Sequence, residues 1–326
     1  MNGPRDADRA VTGISVADVY ALDVDAAQRI YVETFGFDTV ADLPGSRPAE
    51  GWLTVGHPAN PSLQLRLTRP GGRLSPVLRT GLEHALSIAK HASLGLVTTD
   101  MDRSHRALTE AGVRFLQEPV RRAPDVSRDF RRQLGEVEAL ITDGCGNLHI
   151  LIEPGTLSDD REKWPAIPAA GAHPAALGGV FMLDLFVADV DEAVMFYRDV
   201  LGFEVGADEV SANGENRWVT IHHPAHPEVQ ACLLVPNAWF DDLHAVGLRA
   251  ALGRHEMPGW GLTTDDCRRA YEELSAAGVE FVAPPATTVV PMQAGLRPPL
   301  GAWEAAFRDG VGNVHYLVEP FAAPAR

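Results

Sequence analysis

The sequence predicts an α+β protein made of two tandem copies of one domain, each containing two βαβββ modules. Two observations support this prediction. Much of the chain recurs at a constant offset of 166 residues, and within each copy a strand, an amphipathic helix and further strands follow one another twice. The expected boundaries are 13–155 for domain 1 and 179–321 for domain 2, with residues 156–178 as a linker.

The duplication is clearest in one unusual segment, which reads WLTVGHPANPSLQL from Trp52 and WVTIHHPAHPEVQA from Trp218. The same offset links VDAAQRIYVETFGF at 24–37 to VDEAVMFYRDVLGF at 190–203, and DGCGN at 143 to DGVGN at 309. A constant offset across these anchors indicates two copies without net insertion between them. The segment that joins the copies is rich in Pro and Ala, which is typical of a linker.

Each copy is predicted to contain two similar modules. In the first, Asp23 is a candidate N-cap for a helix with Val24, Ala27 and Tyr31 on one face, and Gly36 is its candidate C-cap. The order recurs in two later segments, LGLVTTDMDRSHRALTEAGVRF and WGLTTDDCRRAYEELSAAGVEF, in which Asp100 or Asp102 opens one of the helices. Four modules of the same kind are therefore expected.

These segments, together with EAAFRDGVGNVHYLVEP from Glu304, resemble the vicinal-oxygen-chelate superfamily. That superfamily holds glyoxalase I, extradiol dioxygenases, fosfomycin-resistance enzymes and bleomycin-binding proteins. The resemblance implies that two modules pair and curl their sheets into an open, funnel-like half-barrel with any metal at its centre. We expect each domain to form one funnel, with the Trp52 and Trp218 segments on the walls of two separate funnels. One scaffold serves many chemistries, so the resemblance specifies the fold more narrowly than the function.

Composition argues against nucleic-acid and membrane partners. The net charge of −16 repels phosphate and anionic lipid, and the arginine-rich run 121–132 also contains acidic residues, which favours a solvated loop. No apolar stretch is long enough for a membrane span or a signal peptide, so a cytoplasmic location is expected. The three cysteines show no paired spacing that would indicate disulfides or a zinc site.

The resemblance also locates the positions where metal-using members carry ligands, in the first and last strands of each module. At these positions the sequence has Val16, Met182, Ser93, Gly259, Ile150, Tyr316, Gln64 and Gln230. Each funnel is thus left with one plausible ligand, a neutral glutamine, whereas a catalytic divalent site needs about three protein ligands. We therefore expect no metal and no other cofactor.

The histidines do not change this expectation. His57 and His223 precede proline in the repeated turn, which favours a structural role. His149 and His315 lie one position before the empty carboxylate position. Strand alternation directs them toward the helices, where a hydrogen-bonded structural histidine is expected.

Alternation in the strands directs four acidic residues into the funnels. Asp18 and Asp184 occupy equivalent inward positions in the first strand of each copy, and Glu138 and Glu304 do so in a later strand. They are candidate catalytic groups, because a carboxyl group in an apolar pocket can have a raised pKa and act as a general acid or base. Acceptance of structural hydrogen bonds is the alternative role for the aspartates, and an Asp and a Glu that converge in one pocket could instead hold a cationic ligand.

Seven further residues are predicted to face a ligand: Tyr20, Gln64, Arg66, Met182, Phe186, Gln230 and Tyr316. Arg66 could pair with an anionic ligand or with Asp18, and Cys232 is a further inward residue of domain 2. The two pockets are therefore expected to differ chemically.

The favoured function is metal-independent binding of a small organic molecule, with a natural product as one candidate ligand class. The first alternative is an isomerase, lyase or cyclase that uses Asp18 with Glu138, or Asp184 with Glu304. The second is a metal-dependent glyoxalase-like or dioxygenase-like enzyme. A third interpretation gives one domain a purely structural role. The internal duplication is compatible with a monomer or a homodimer.

Overall fold

The computed structural model describes residues 10–40, 52–71, 74–121, 134–155, 175, 177–210, 217–237, 240–287 and 300–321. Almost all of the predicted linker and most of the arginine-rich run 121–132 lie outside these ranges.

The N-terminal half contains two βαβββ modules joined by a helix. Module 1 comprises β1 (Gly13–Tyr20), α1 (Val24–Gln28), which continues as a π-helical segment (Arg29–Thr34), β2 (Asp38–Thr39), β3 (Trp52–Gly56) and β4 (Gln64–Thr68). The joining helix is α2 (Pro76–Ser87). Module 2 comprises β5 (His91–Thr98), α3 (Met101–Glu110), β6 (Arg114–Arg121), β7 (Val137–Thr142) and β8 (Asn147–Glu153).

The C-terminal half repeats this order. Module 3 comprises β9 (Leu177–Phe186), α4 (Val190–Met195) with a π-helical continuation (Phe196–Val200), β10 (Glu204–Val210), β11 (Arg217–His223) and β12 (His226–Leu234). The joining helix is α5 (Asp242–Leu252). Module 4 comprises β13 (Met257–Thr263), α6 (Cys267–Ala276), β14 (Phe281–Ala286), β15 (Trp303–Arg308) and β16 (Asn313–Glu319).

Capping follows the expected pattern at the four module helices. The side chains of Asp23, Asp100, Asp189 and Asp266 accept hydrogen bonds from the first free N–H groups of α1, α3, α4 and α6. Asp100, rather than Asp102, opens α3. The helices of modules 2 and 4 are followed by Gly112 and Gly278, which have φ values of +84° and +90°. The π-helical ends of α1 and α4 have no signature in the residue pattern.

The modules that share a sheet come from opposite halves of the chain. Sheet A has the strand order β14-β15-β16-β13-β1-β4-β3-β2, which joins module 1 to module 4. Sheet B has the order β10-β11-β12-β9-β5-β8-β7-β6, which joins module 3 to module 2. At the centres of the sheets, β1 pairs with β13 and β5 with β9, both antiparallel. The α+β class and the open sheets of paired modules agree with expectation, whereas the two modules of one half contribute their described strands to different sheets instead of sharing one.

Buried tyrosines hold the two modules of each half together. The Tyr197 hydroxyl lies 2.7 Å from Asp309 Oδ2 and 2.6 Å from His315 Nε2. The corresponding distances from Tyr31 to Asp143 and His149 are 3.3 and 3.0 Å. Burial, followed by the neighbouring aspartate, raises the pKa of both tyrosines well above the usual value. His149 and His315 therefore have the structural surroundings expected of them, on the helix side of the sheets.

The repeated His-Pro turn links the halves. His57 Nδ1 and His223 Nδ1 each accept a hydrogen bond from the backbone N–H two residues later, at 3.2 Å in both cases. His223 Nε2 also lies 3.0 Å from the carbonyl oxygen of Val11, ahead of β1. The repeated segment is therefore a structural turn that contacts the start of the other half.

Candidate functional site

The concave face of each sheet is the face opposite the helices. In sheet A, Asp18 lies beside Arg66 on β4, and Arg66 lies opposite Thr54 on β3. In sheet B the equivalent neighbours are Asp184 and Cys232. Residues on the other face, such as Ala17, pack in the core beneath the helices. The inward direction predicted for the two aspartates is therefore correct.

A cavity of about 510 Å³ lies over the concave face of sheet B. Its lining includes Leu140, Ile150, Met182, Trp218, Leu234 and Phe240 as apolar groups and Lys90, Ser93, Asp184, Arg217 and Asn237 as polar or charged ones. Strands of modules 2 and 3 supply most of these residues, and Phe240 lies just before α5. A concave, mainly apolar space of this size with a few polar groups matches the form of small-molecule sites.

The strand registers show which residues occupy the positions where metal-using members of the superfamily carry their ligands. In sheet A, Val16 neighbours both Gln64 and Gly261, and Gly261 neighbours Tyr316. The second-module position is thus Gly261, not Gly259 as the sequence count indicated.

Sheet B shows the same two-residue correction. Met182 neighbours Gln230 and Gly95, and Gly95 neighbours Ile150, so Gly95 replaces Ser93 at the second-module position. One amide in sheet B, and one amide and a phenol in sheet A, do not match the carboxylate and imidazole set of a divalent site. Within the described ranges, no group of three or more His, Cys, Asp or Glu side chains could hold a metal ion.

Asp18 and Arg66 form a buried bidentate ion pair. Arg66 Nε donates to Asp18 Oδ1 at 2.6 Å, and Nη2 donates to Oδ2 at 2.8 Å. Burial by itself lowers the pKa of the Arg66 guanidinium, but the negative charge and the hydrogen bonds of Asp18 outweigh the effect of burial. The pKa of Arg66 is therefore raised. Of the two roles open to Arg66 in the sequence, the structure shows the pairing with Asp18. The pair is internally neutral, which weakens the case for Asp18 as a general base.

Asp18 and Asp184 also line a small cleft between the two sheets. The cleft has a volume of about 60 Å³ and includes Tyr20, Phe186 and Trp260. Tyr20 and Phe186 belong to a buried cluster with α2 and α5, which pack against each other. These two aromatic residues, predicted to contact a ligand, therefore also pack at the junction of the halves.

Glu138 and Glu304 are buried on the concave faces and bind backbone groups. Glu138 Oε2 accepts a hydrogen bond from Leu134 N at 3.1 Å, and Glu304 Oε1 accepts from Leu300 N and Gly301 N. Each glutamate thereby holds the segment that enters its strand. This contact is a structural one.

The predicted acid/base pairs do not assemble. Asp18 and Glu138 lie in different sheets, as do Asp184 and Glu304, because the modules are exchanged between halves. Within sheet B, strand β8 serves as a common reference. Glu138 pairs with Ile152 on β8, whereas Asp184, followed across β5, reaches β8 near Leu148. Four residues along a strand correspond to about 13 Å, so Asp184 and Glu138 are not neighbours either.

The remaining predicted ligand residues lie on the concave faces. Gln64 is half-buried on β4, and Tyr316 is buried on β16. Gln230 Oε1 accepts a hydrogen bond from the Thr220 hydroxyl at 2.7 Å, so part of its polar capacity is used within sheet B. Met182 lines the large cavity.

Two groups were missed at the sequence level. Trp218 and Phe240 line the sheet B cavity; alternation along β11 could have indicated Trp218, but Phe240 carries no strand pattern. His91 and His244 lie far apart in sequence, yet their ring centroids are 5.2 Å apart at the junction of the halves. Burial, aided by His244, lowers the pKa of His91 to about 3, and burial lowers that of His244 to about 4.

Comparison with known proteins agrees with this architecture. A protein of Shewanella frigidimarina (strain NCIMB 400) described as an uncharacterized protein is 35% identical over 101 residues, which cover 31% of this chain and 71% of that protein. Glyoxalase I from Zea mays is 14% identical with a TM-score of 0.56, over 94% of this chain and 92% of that one, and shares the fold. TnmS3, an antibiotic binding protein from Streptomyces sp. CB03234, is 26% identical over 45% of this chain and 98% of its own, with a TM-score of 0.30.

A family model matches both halves of the chain, over residues 13–150 and 179–314. The matched ranges cover most of each pair of modules. The chain belongs to the Glyoxalase/Bleomycin resistance protein/Dioxygenase superfamily.

Proposed function

We propose that this protein binds a small, mainly apolar organic molecule in the cavity over sheet B without the help of a metal. The cavity of about 510 Å³ is the observation that carries the proposal. Its apolar walls favour burial of a hydrocarbon or aromatic body, at roughly 25 cal/mol for each Å² removed from water. Asp184 and Ser93 in its lining can orient a hydrogen-bond donor of the ligand.

The metal-independent part of the proposal is supported by the residues beside Gln230. Gly95 and Ile150 have no side-chain donor atom, and the soft thioether sulfur of Met182 does not replace the carboxylate and imidazole ligands of a catalytic divalent site. Membership of a superfamily that includes enzymes does not by itself assign a reaction. On the described part of sheet B the carboxylates of Asp184 and Glu138 are not neighbours, which supports binding rather than proton-transfer catalysis by this pair.

One chain supplies both halves of sheet B, which supports a monomer as the binding unit. No helix in the described ranges is long and apolar enough to cross a membrane.

A fluorescent probe can test the site. N-phenyl-1-naphthylamine is a neutral dye whose emission rises in apolar surroundings, so it should give saturable binding with one site per chain. Ile150→Trp fills the cavity and should weaken this binding at least tenfold. Ile88→Trp is the matched control, because Ile88 is 41% exposed on the surface.

Metal removal completes the test. Binding should be unchanged after dialysis against a chelator and after addition of Zn²⁺ or Mn²⁺. Equal affinity of the two tryptophan variants would refute the location of the site. A chelator-sensitive affinity would refute metal independence.

A further inference from the structure

A second large cleft lies where modules 3 and 4 of the C-terminal half meet. It has a volume of about 600 Å³ and is lined by Phe196 after α4, by Arg254 and His255 between α5 and β13, and by Arg308 at the end of β15. It shares no lining residue with the cavity over sheet B or with the small cleft between the sheets. Turns and element ends, rather than the concave strand faces, therefore build this cleft.

Both arginines of the cleft keep hydrogen-bonding capacity that the described chain does not use. Arg254 Nε lies 3.0 Å from Glu256 Oε2 and its Nη2 lies 3.0 Å from Ser75 Oγ, but its Nη1 has no partner among the described residues. Arg308 Nη1 donates to Glu280, whereas its Nε and Nη2 have no partner there. The side chains of Arg254 and Arg308 are 47% and 30% exposed, so a ligand can reach these donors.

The duplicated sequence provides an internal comparison for this charge. The N-terminal half has an equivalent cleft of about 370 Å³, lined by one acidic and one basic residue. At the offset of 166 residues, the positions of Arg254, His255 and Arg308 are occupied by Ile88, Ala89 and Thr142. The backbone of the two copies agrees even where the side chains differ, because Ala89 and His255 have φ values of 54° and 52°. The basic groups are therefore a feature of the second copy and are not required by the shared turn.

Charge and shape select the chemistry of the occupant. The chain has a net charge of −16, so a cleft lined by two arginines and a histidine against one glutamate differs from the surface as a whole and attracts a small anion. The Nε and Nη2 groups of Arg308 form a paired edge that matches the two oxygens of a carboxylate. Glu280 and Glu256 already compensate much of the arginine charge, which favours a singly charged carboxylate over a doubly charged phosphate. Phe196 and Val279 offer apolar surface for the body of the ligand.

We infer that this cleft is a binding site for a small aromatic carboxylate, held by the guanidinium groups of Arg308 and Arg254 and packed against Phe196. Modules 3 and 4 contribute their strands to different sheets, so the bound molecule contacts modules of both sheets. The site does not depend on the function proposed for the cavity over sheet B.

Binding can be measured by ¹⁹F NMR on the full chain, with 4-(trifluoromethyl)benzoate as the probe. Its resonance should shift in a saturable manner with one site per chain. The neutral control is 4-(trifluoromethyl)benzamide, which has nearly the same shape without the negative charge. The benzamide should bind about fivefold more weakly, because it cannot accept the paired hydrogen bonds of a guanidinium at two oxygens.

Two substitutions of Arg308 test how the carboxylate is held. Arg308→Gln should weaken the benzoate about fivefold, and Arg308→Lys should recover only part of this loss, because an ammonium group has no paired N–H edge. The pair of Arg308 with Glu280 lies at the surface, so both variants should remain folded. Arg269→Gln is the matched control, since Arg269 pairs with Glu273 on the surface of α6 outside the cleft, and it should leave the affinity unchanged.

Several outcomes would overturn the inference. Absence of a saturable shift would mean that the cleft takes no carboxylate. Equal affinity for the benzamide, or an unchanged affinity in Arg308→Gln, would mean that the arginine does not recognise the carboxylate. Loss of benzoate binding in Ile150→Trp, which fills the sheet B cavity, would place the probe in that cavity instead. Dye binding in Arg308→Gln should match that of the parent protein, so the two proposals can fail separately.

Discussion

The side-chain amide of Asn60 forms two hydrogen bonds with the backbone of Val180. Its Nδ2 donates to the Val180 carbonyl at 3.0 Å, and its Oδ1 accepts from the Val180 N–H at 2.7 Å. Asn60 lies in the turn after β3 of sheet A, whereas Val180 lies on β9 of sheet B. Gly179 permits this approach, because a Cβ there would lie 2.3 Å from Asn60 Oδ1 and its φ is +109°. One side chain thus ties the two sheets.

Asn60→Ala should therefore lower the free energy of unfolding by about 2–4 kcal/mol. The change leaves both backbone groups of Val180 without their partner in a buried setting. Urea denaturation followed by circular dichroism measures the effect. Ser62→Ala, an exposed position in the same turn, is the control and should change stability by less than about 0.5 kcal/mol.

The two buried tyrosine networks should differ in strength. Tyr197→Phe removes hydrogen bonds of 2.7 and 2.6 Å, whereas Tyr31→Phe removes bonds of 3.3 and 3.0 Å. We expect losses of about 2–3 kcal/mol for Tyr197→Phe and about 1–2 kcal/mol for Tyr31→Phe, because each leaves a buried His and Asp short of a partner. Chemical denaturation of the two variants gives the comparison, and equal losses would contradict it.

Removal of one member of the Asp18–Arg66 pair should cost more than removal of both. Arg66→Met leaves the Asp18 carboxylate buried without its counter-ion, which should lower stability by about 3–5 kcal/mol. The double variant Asp18→Leu, Arg66→Met should recover most of this loss. A double variant as unstable as the single one would show that the pair is not the source of the effect.

Acid should destabilise the protein through His91 and His244. Their folded pKa values are about 3 and about 4, below the value near 6.5 for an unfolded chain. Between pH 6.5 and these folded pKa values, the unfolded chain binds more protons than the folded one. The contribution of the neutral histidines to the free energy of unfolding is therefore complete above about pH 6.5 and is lost as the pH falls toward 4 for His244 and toward 3 for His91.

At pH 5 the loss should be on the order of 1–2 kcal/mol per histidine. Asp143 opposes it at His91 and Asp241 opposes it at His244, while His149 and His84 add to it. His244→Leu should flatten the dependence of the denaturation midpoint on pH, because neither nitrogen of His244 has a partner among the described residues. Urea denaturation of the variant and of the parent protein at pH 5 and pH 7 gives the comparison, and an unchanged slope would contradict the role of His244.

Much of the fold could be predicted because the duplication repeats each local signal. The aspartate caps at Asp23 and Asp100 lie where the sequence predicts them, and Gly36 follows its helix with a φ of +83°. The inward direction of Asp18 and Asp184 followed from period-two alternation. Local chemistry determines each of these features, so one sequence contains enough information for them.

The partner of each module could not be predicted. All four modules carry similar edge strands, so β1 has no local feature that selects β13 over β5. The wrong partner then gave the wrong pairs of acids, Asp18 with Glu138 and Asp184 with Glu304. The sequence count placed two ligand positions at Ser93 and Gly259, two residues before the positions that the structure shows. The count failed because register irregularities interrupt both β5 and β13 near these residues.

The exchanged modules also affect how the chain can fold as it leaves the ribosome. When the N-terminal half has been synthesised, the edge of β5 still lacks β9, which follows soon afterwards, and the edge of β1 lacks β13, which is made about a hundred residues later. Exposed strand edges recruit other chains, and late long-range pairing slows folding. We therefore expect the nascent N-terminal half to need a chaperone until translation is nearly finished. If the two halves are expressed as separate polypeptides, we expect functional protein only when both are present together.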